Sequence, residues 1–236
     1  MTSTAAELNI LDGVTATAAQ INTVTQLSGR NLIMNGQGRI NQRGYTSGTA
    51  TGAANQYTLD RWRVVTSGQN LSWTGNAARN TMTAPAGGVE QVIEARNVVG
   101  GTYTINWTGT ATCTVAGTAR AKGAVFTLTA ATNTTVRFTG GTFTDVQLEL
   151  GSIPTLYDRA PHGEELALCQ RYFQSLFVVV NTLTTFYTVS FPVEMFANPT
   201  ITGGGAGFTN NSPNNKTLGV YQTTRAGQTL SLEAEL

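Results

Sequence analysis

The 236-residue chain is short of charge, histidine, cysteine and long apolar runs, and each shortage excludes something. Only 11% of residues are charged, against roughly 25% in an average soluble domain. The 14 basic and 13 acidic side chains leave a formal charge of +1. Phosphate neutralisation needs a surplus of Lys and Arg on one face. Scattered arginines and two lysines, Lys122 and Lys216, do not supply it, so no nucleic-acid partner is expected. A single histidine, His162, rules out multi-histidine metal sites. Cys113 and Cys169 cannot build a disulfide framework and form no CxxC pair, and both read as reduced, buried thiols made in a cytoplasm. The start Met1-Thr2-Ser3-Thr4-Ala5 lacks the basic and apolar regions of a signal peptide. The longest wholly apolar run, Leu176 to Val180, falls far short of the roughly 20 residues that span a bilayer, so a soluble chain without membrane insertion is expected.

What is present is threonine (41 residues), glycine (26) and a hydrophobic share of 40%, enough to argue against disorder. Residues 1–29 contain an internal repeat. Thr4-Ala-Ala-Glu7-Leu8-Asn9-Ile10-Leu11 lines up with Thr17-Ala-Ala-Gln20-Ile21-Asn22-Thr23-Val24. Each copy opens with Thr-x-x-Glu/Gln, a capping box, and places apolar residues three apart, Leu8 with Leu11 and Ile21 with Val24. Asp12-Gly13 and Ser28-Gly29 act as stop signals. Two short helices are expected. They are marginal alone in water, so these four residues are the candidate attachment and oligomerisation contacts. A frayed tail is the plain alternative.

Residues 30–160 carry short runs such as Val64-Val65, Leu71-Ser-Trp73, Val89 to Glu94, Tyr103 to Trp107, Cys113 to Val115, Val125 to Leu128, Val136 to Phe138 and Val146 to Leu150, punctuated by Gly-Gly pairs. Strands about every ten residues without a helical stretch predict an antiparallel β-sandwich. Residues 161–236 open with a predicted helix from Pro161 to Phe173, its acids Glu164 and Glu165 at the positive end of the dipole and Leu166, Cys169 and Phe173 forming one stripe. Further strand-like runs follow, a second β unit too small to be stable alone.

Three tryptophans and seven tyrosines could stack on the apolar C–H faces of a sugar. Trp62 reads as core. Trp73 and Trp107 alternate with small polar residues and can face either side, which makes them the possible glycan contacts. Catalytic residues are not expected. Glu90 and Glu94 stand roughly 13 Å apart along one run, too far for the retaining pair of a polysaccharide hydrolase, and a dipole role suffices for Glu164 and Glu165. The glycine clusters lack the Lys-Ser/Thr of a phosphate loop. No enzyme, cofactor or resident metal is expected.

The repeat Thr4 to Ala16 looks like the short repeats of tailed-bacteriophage fibre proteins. Asn31-Leu-Ile-Met-Asn-Gly36, Ile40-Asn-Gln-Arg-Gly44 and Tyr57-Thr-Leu-Asp-Arg-Trp62 resemble the opening of a jelly-roll domain shared by such fibres and carbohydrate-binding modules. Val146 to Gly151, Tyr157-Asp-Arg159 and Glu164 to Phe173 are similar to its closing strand and following helix. Phe191-Pro-Val-Glu-Met195, Ala197 to Thr200 and Ala234-Glu-Leu236 complete the pattern. The resemblance implies a jelly-roll sandwich with a short N-terminal helical anchor and a small C-terminal β unit preceded by one helix. It also implies a structural role in the virion, assembly in the host cytoplasm as a homotrimer, attachment to other virion proteins through residues 1–29, and contact with host-surface glycans. A head or neck fibre or capsid decoration protein without receptor binding is the alternative, and a polysaccharide depolymerase a less favoured one. A calcium could sit where Asp60, Asp145 and Glu149 meet, although pairing of these acids with Arg61, Arg63 or Arg159 is the reading the residues favour.

Overall fold

The computed structural model describes residues 30–179, 187–204, 208–211, 214–222 and 227–236. The N-terminal repeat, with Leu8, Leu11, Ile21 and Val24, lies outside them. The described chain is mainly β, all its strand pairs are antiparallel, and one α-helix separates two β units.

The first unit has two sheets, with strands numbered in chain order. One runs β1 (Gln56–Tyr57), β2 (Arg63–Val64), β5 (Val89–Ile93), β10 (Thr134–Thr139), β7 (Thr112–Val115), β8 (Thr118–Arg120). The other runs β3 (Ser72–Asn76), β4 (Arg79–Thr83), β11 (Thr142–Leu150), β6 (Gly101–Thr108), β9 (Ala124–Leu128). Alternating apolar side chains of both sheets meet in one core. At its centre Phe138 stacks on Phe143 at 4.6 Å, Trp62 meets Phe143 edge-on at 5.3 Å, and Trp107 meets Phe138 edge-on at 5.4 Å. Aromatic rings bury the largest apolar areas available and gain further from these geometries.

Two local devices shape this unit. Within β11 the register shifts between Thr144 and Gln147, and Asp145 takes a left-handed φ of 50°. The bulge turns its carboxylate to Arg79 and to the Gln37 side chain at 2.6 Å. In the turn between β1 and β2, Trp62 N–H donates to Leu59 O at 2.9 Å. Leu59 and Trp62 drop into the core, while Arg61, at φ 71°, points the other way.

The helix α1 spans His162–Gln170, shorter than the sequence predicts. Phe173 belongs instead to the next strand, and the buried helix face consists of Glu165 and Cys169, so the Leu166–Cys169–Phe173 stripe does not form. The second unit pairs β12 (Phe173–Val179), β17 (Gly227–Glu233) and β14 (Thr200–Gly203) in one sheet. β13 (Tyr187–Ser190), β16 (Thr217–Gln222) and β15 (Phe208–Asn211) form the other. Among the described residues, Phe191, Met195, Leu218, Val220, Leu230 and Leu232 are buried at its centre.

Candidate functional site

The two units meet on the outer face of the sheet containing β5, and charge fills the seam. Along β5, Val89 and Ile93 face the first core, while Glu90 and Glu94 are buried on the opposite face. Arg63 and Arg137 pair with Glu90. Arg171, which follows α1, pairs with Glu94 at 3.2 Å, and Tyr172 donates its hydroxyl to the same carboxylate at 2.9 Å. Glu165 is bound by Arg39 and accepts the Asn35 backbone N–H at 2.6 Å. A dipole role would have left it exposed; burial with a fixed cation is its actual place. Asn35 in turn holds Ile40 and the Asp60 carbonyl through its side chain, and Trp62 donates its indole N–H to the Asn35 carbonyl. The Asn31–Gly44 stretch is thus the bracket on which α1 rests.

At the far end of the seam Glu235 accepts from Arg43 at 3.0 Å and from Arg61. The Arg61 guanidinium lies 3.6 Å from the Tyr172 ring centre. Leu236 O accepts from Arg63 at 2.8 Å and from the Tyr57 hydroxyl at 3.0 Å. Burial, then the Glu235 charge, pushes the Tyr57 phenol up to about 12. Gln42 joins the units by donating to the Asp60 carboxylate at 3.3 Å and to the Phe173 carbonyl at 3.0 Å.

Where this seam opens to solvent there is a cleft of about 510 Å³ between the β1 edge and the β14–β17 face. Tyr45, Tyr57 and Phe173 supply aromatic surface, and Asn55, Gln56, Thr202, Ser231 and Glu233 supply polar groups. Arg43 lies between two of the rings, 4.0 Å from the Phe173 centre and 5.1 Å from Tyr57, and is paired with Glu233 at 3.2 Å as well as with Glu235. Its charge is therefore matched within the protein. An aromatic wall with a neutralised cation and a rim of amides and hydroxyls suits a neutral, hydroxyl-rich ligand better than an anion.

The predicted glycan residues separate. Trp107 is 6% exposed, with its ring against Phe138, which leaves no open face for a sugar. The core takes it because its alternation partners on β6, Tyr103 and Ile105, point the same way. Trp73 is half-buried, 6.0 Å from Tyr45, and so stands behind the cleft wall rather than in it. The acids considered for calcium are separately engaged. Asp60 accepts from Gln42, Asp145 from Arg79 and Gln37, and Glu149 from Gln147 and Thr155. Among the described residues no group of three or more His, Cys, Asp or Glu side chains comes together, so these three do not fit a shared calcium. Their partners also differ from those expected, since Arg61 and Arg63 go to Glu235 and Glu90 and Arg159 reaches the Ala78 carbonyl. Cys113 and Cys169 are both buried, and burial pushes the Cys113 thiol up to about 12 and Cys169 well above its ordinary value. No described helix is long and apolar enough to cross a membrane.

The chain matches no protein-family model, and no curated protein or solved structure matches it.

Proposed function

We propose that this chain is a structural fibre protein of a bacteriophage virion, trimeric, non-enzymatic, and contacting neutral host-surface glycans through the cleft between its two β units. The observation that carries the glycan contact is the cleft itself, with Tyr45, Tyr57 and Phe173 beside Asn55, Gln56, Thr202 and Ser231. Its carboxylate Glu233 and the neighbouring Glu235 are tied to arginines, a setting for holding shape rather than for passing protons. The chain crosses from sheet to sheet between β2 and β3, β4 and β5, β5 and β6, β6 and β7, β8 and β9, β9 and β10, and β10 and β11. Repeated crossing of this kind supports the jelly-roll reading of the first unit. Residues 1–29 are the proposed attachment to other virion proteins, through Leu8, Leu11, Ile21 and Val24.

Binding of purified protein to host cells and to a panel of neutral and acidic polysaccharides tests this reading. Thr202 is exposed at the cleft, so Thr202→Trp fills it without touching either core. We expect neutral glycan binding that weakens at least about tenfold in the variant, a loss of about 1.4 kcal/mol. Binding unchanged by the filled cleft removes the cleft from the reading. Absence of any glycan or cell binding, with label over the head or neck of intact particles, favours the decoration protein instead. Sedimentation near three times 24.9 kDa is expected, and a monomer at micromolar concentration overturns the trimer.

A further inference from the structure

The face of the β12–β17–β14 sheet that looks away from the second core is continuous with the cleft. Strand register sets its side chains in rows. Phe173 lies beside Glu233, Ser175 beside Ser231 and Thr202, Phe177 beside Thr229, and Val179 beside Gly227. The first two rows reach the cleft through Phe173, Glu233, Ser231 and Thr202. The alternate residues, Leu176, Val178, Leu230 and Leu232, turn to the core. The rows therefore lead out of the cleft to Phe177, about 13 Å along β12 from Phe173. That is longer than one sugar ring.

Among the described side chains Phe177 is the one exposed aromatic, at 70%. The far end of its ring fills the space that a side chain at Gly227 would need. The glycine thus lets the ring lean over β17 instead of standing free. Inside the cleft the rings are less open, because the Arg43 guanidinium lies over Phe173 and Tyr57. On the way out stand Ser175, Ser231, Thr202 and Thr229, and among the described residues none of their hydroxyls has a hydrogen-bond partner. The only charge on these rows, Glu233, is paired with Arg43. Serine is depleted in the cores of protein interfaces. A neutral sugar chain has hydroxyls to pair with these and apolar C–H faces to lie on the ring.

We propose that this sheet face extends the cleft into a track for the interior of an extended neutral polysaccharide, with Phe177 stacking on a sugar beyond the cleft. The inference rests on the glycan reading of the cleft and adds to it the length and the chain-like form of the ligand.

Size-sorted oligosaccharides cut from amylose, dextran and chitin, from disaccharide to octasaccharide, are titrated against the full chain by calorimetry. Affinity is expected to rise at least about tenfold from the shortest to the longest oligomer that binds. Phe177→Leu, exposed and outside both cores, is expected to erase most of that rise and leave the shortest oligomer's affinity unchanged. Phe177→Trp is expected to keep the rise, because a larger flat ring replaces the first. Affinity independent of length, or a rise that survives in Phe177→Leu, overturns the track; the cleft reading stands if Thr202→Trp still weakens the shortest oligomer. No binding at any length overturns the track and the cleft reading together. A sedimentation mass that falls in Phe177→Ala shows that the ring holds a second copy, and this too overturns the assignment.

Discussion

The two β units solve the same problem with different means. The first closes two sheets over a core whose centre is four aromatic rings, and all three tryptophans of the chain belong to it. The second has two three-stranded sheets over a core that, among the described residues, is aliphatic with one phenylalanine and one methionine. Apolar burial at about 25 cal/mol per Å² makes the first self-sufficient and leaves the second marginal. The second is joined to the first through Arg39–Glu165, Arg43–Glu235, Arg61–Glu235 and Arg171–Glu94. Buried pairs of this kind add little over apolar packing when intact, but removing one partner is severe, because the other is left desolvated and unpaired. The seam therefore fixes how the units are placed, and with it the cleft, more than it raises total stability.

The largest expected effect comes from the aromatic centre. Phe138→Ala removes a ring that three others touch and should cost about 3–5 kcal/mol. Because the second unit depends on the first, both should be lost in one transition, with tryptophan fluorescence and far-ultraviolet circular dichroism moving together. Survival of the second unit's signal would show that it stands alone and end the contrast.

Next in size is Glu235→Ala, which leaves the buried Arg61 guanidinium without its carboxylate and should cost about 3 kcal/mol, the lower end for a broken buried pair. Here the loss should be local. Exchange at β12 and β17 rises, while the tryptophan transition barely shifts. An equal shift in both signals would mean that the seam is part of one cooperative core.

The contrast also marks what the sequence could tell. The expected runs from Val89 to Leu150 all contain strands, because alternating apolar residues bury one face of a sheet. β4 was hidden, since Arg79–Thr83 offers one apolar residue, Met82, and the buried Asn80 beside it looks like a loop residue. β8 is hidden for the same reason, with Ala119 as its only apolar residue. The seam was illegible on other grounds. Arg61 and Glu235 are 174 positions apart, and Arg39 and Glu165 are 126; no local period connects them. Glu165 sits in the first turn of a helix, where an acid has an ordinary explanation, and that explanation masked a buried pair. The cleft was missed likewise. Tyr45, Gln56 and Ser231 carry no pattern, and only the unit-to-unit fold gathers them.

A smaller effect probes the seam by pH. Burial pushes the Asp60 carboxyl up to about 6, against a pull downward from the Gln42 backbone N–H. The native state then binds this proton more tightly than the unfolded chain, whose carboxyl titrates near 3.8. The stabilisation from this group is complete below about pH 4 and is lost as pH rises through about 6. Asp60→Asn removes the titration. The stability difference between pH 4 and pH 7 should change by on the order of 2 kcal/mol relative to the parent chain, in the sense that the parent loses more on going to pH 7. Matching pH profiles would show that Asp60 is not buried against the second unit as Gln42 and the Phe173 carbonyl place it.

The finest test uses one carboxylate with two cations. Glu94 pairs with Arg96, from the neighbouring 3₁₀ turn of the same unit, and with Arg171, from the second unit. The Arg96 side chain is 67% exposed and the Arg171 side chain 25%. Solvent screening and side-chain entropy reduce an exposed pair to about 0–1 kcal/mol, so Arg96→Ala should shift stability by no more than about 0.5 kcal/mol. Arg171→Ala should cost about 1–2 kcal/mol, less than a fully buried break because the Tyr172 hydroxyl still donates to Glu94. Double-mutant cycles with Glu94→Gln isolate each coupling. If the Arg96 coupling equals that of Arg171, desolvation is not what strengthens the seam. The second unit would then be held by shape and the Gln42 bridge, and the charges would serve only to set its orientation.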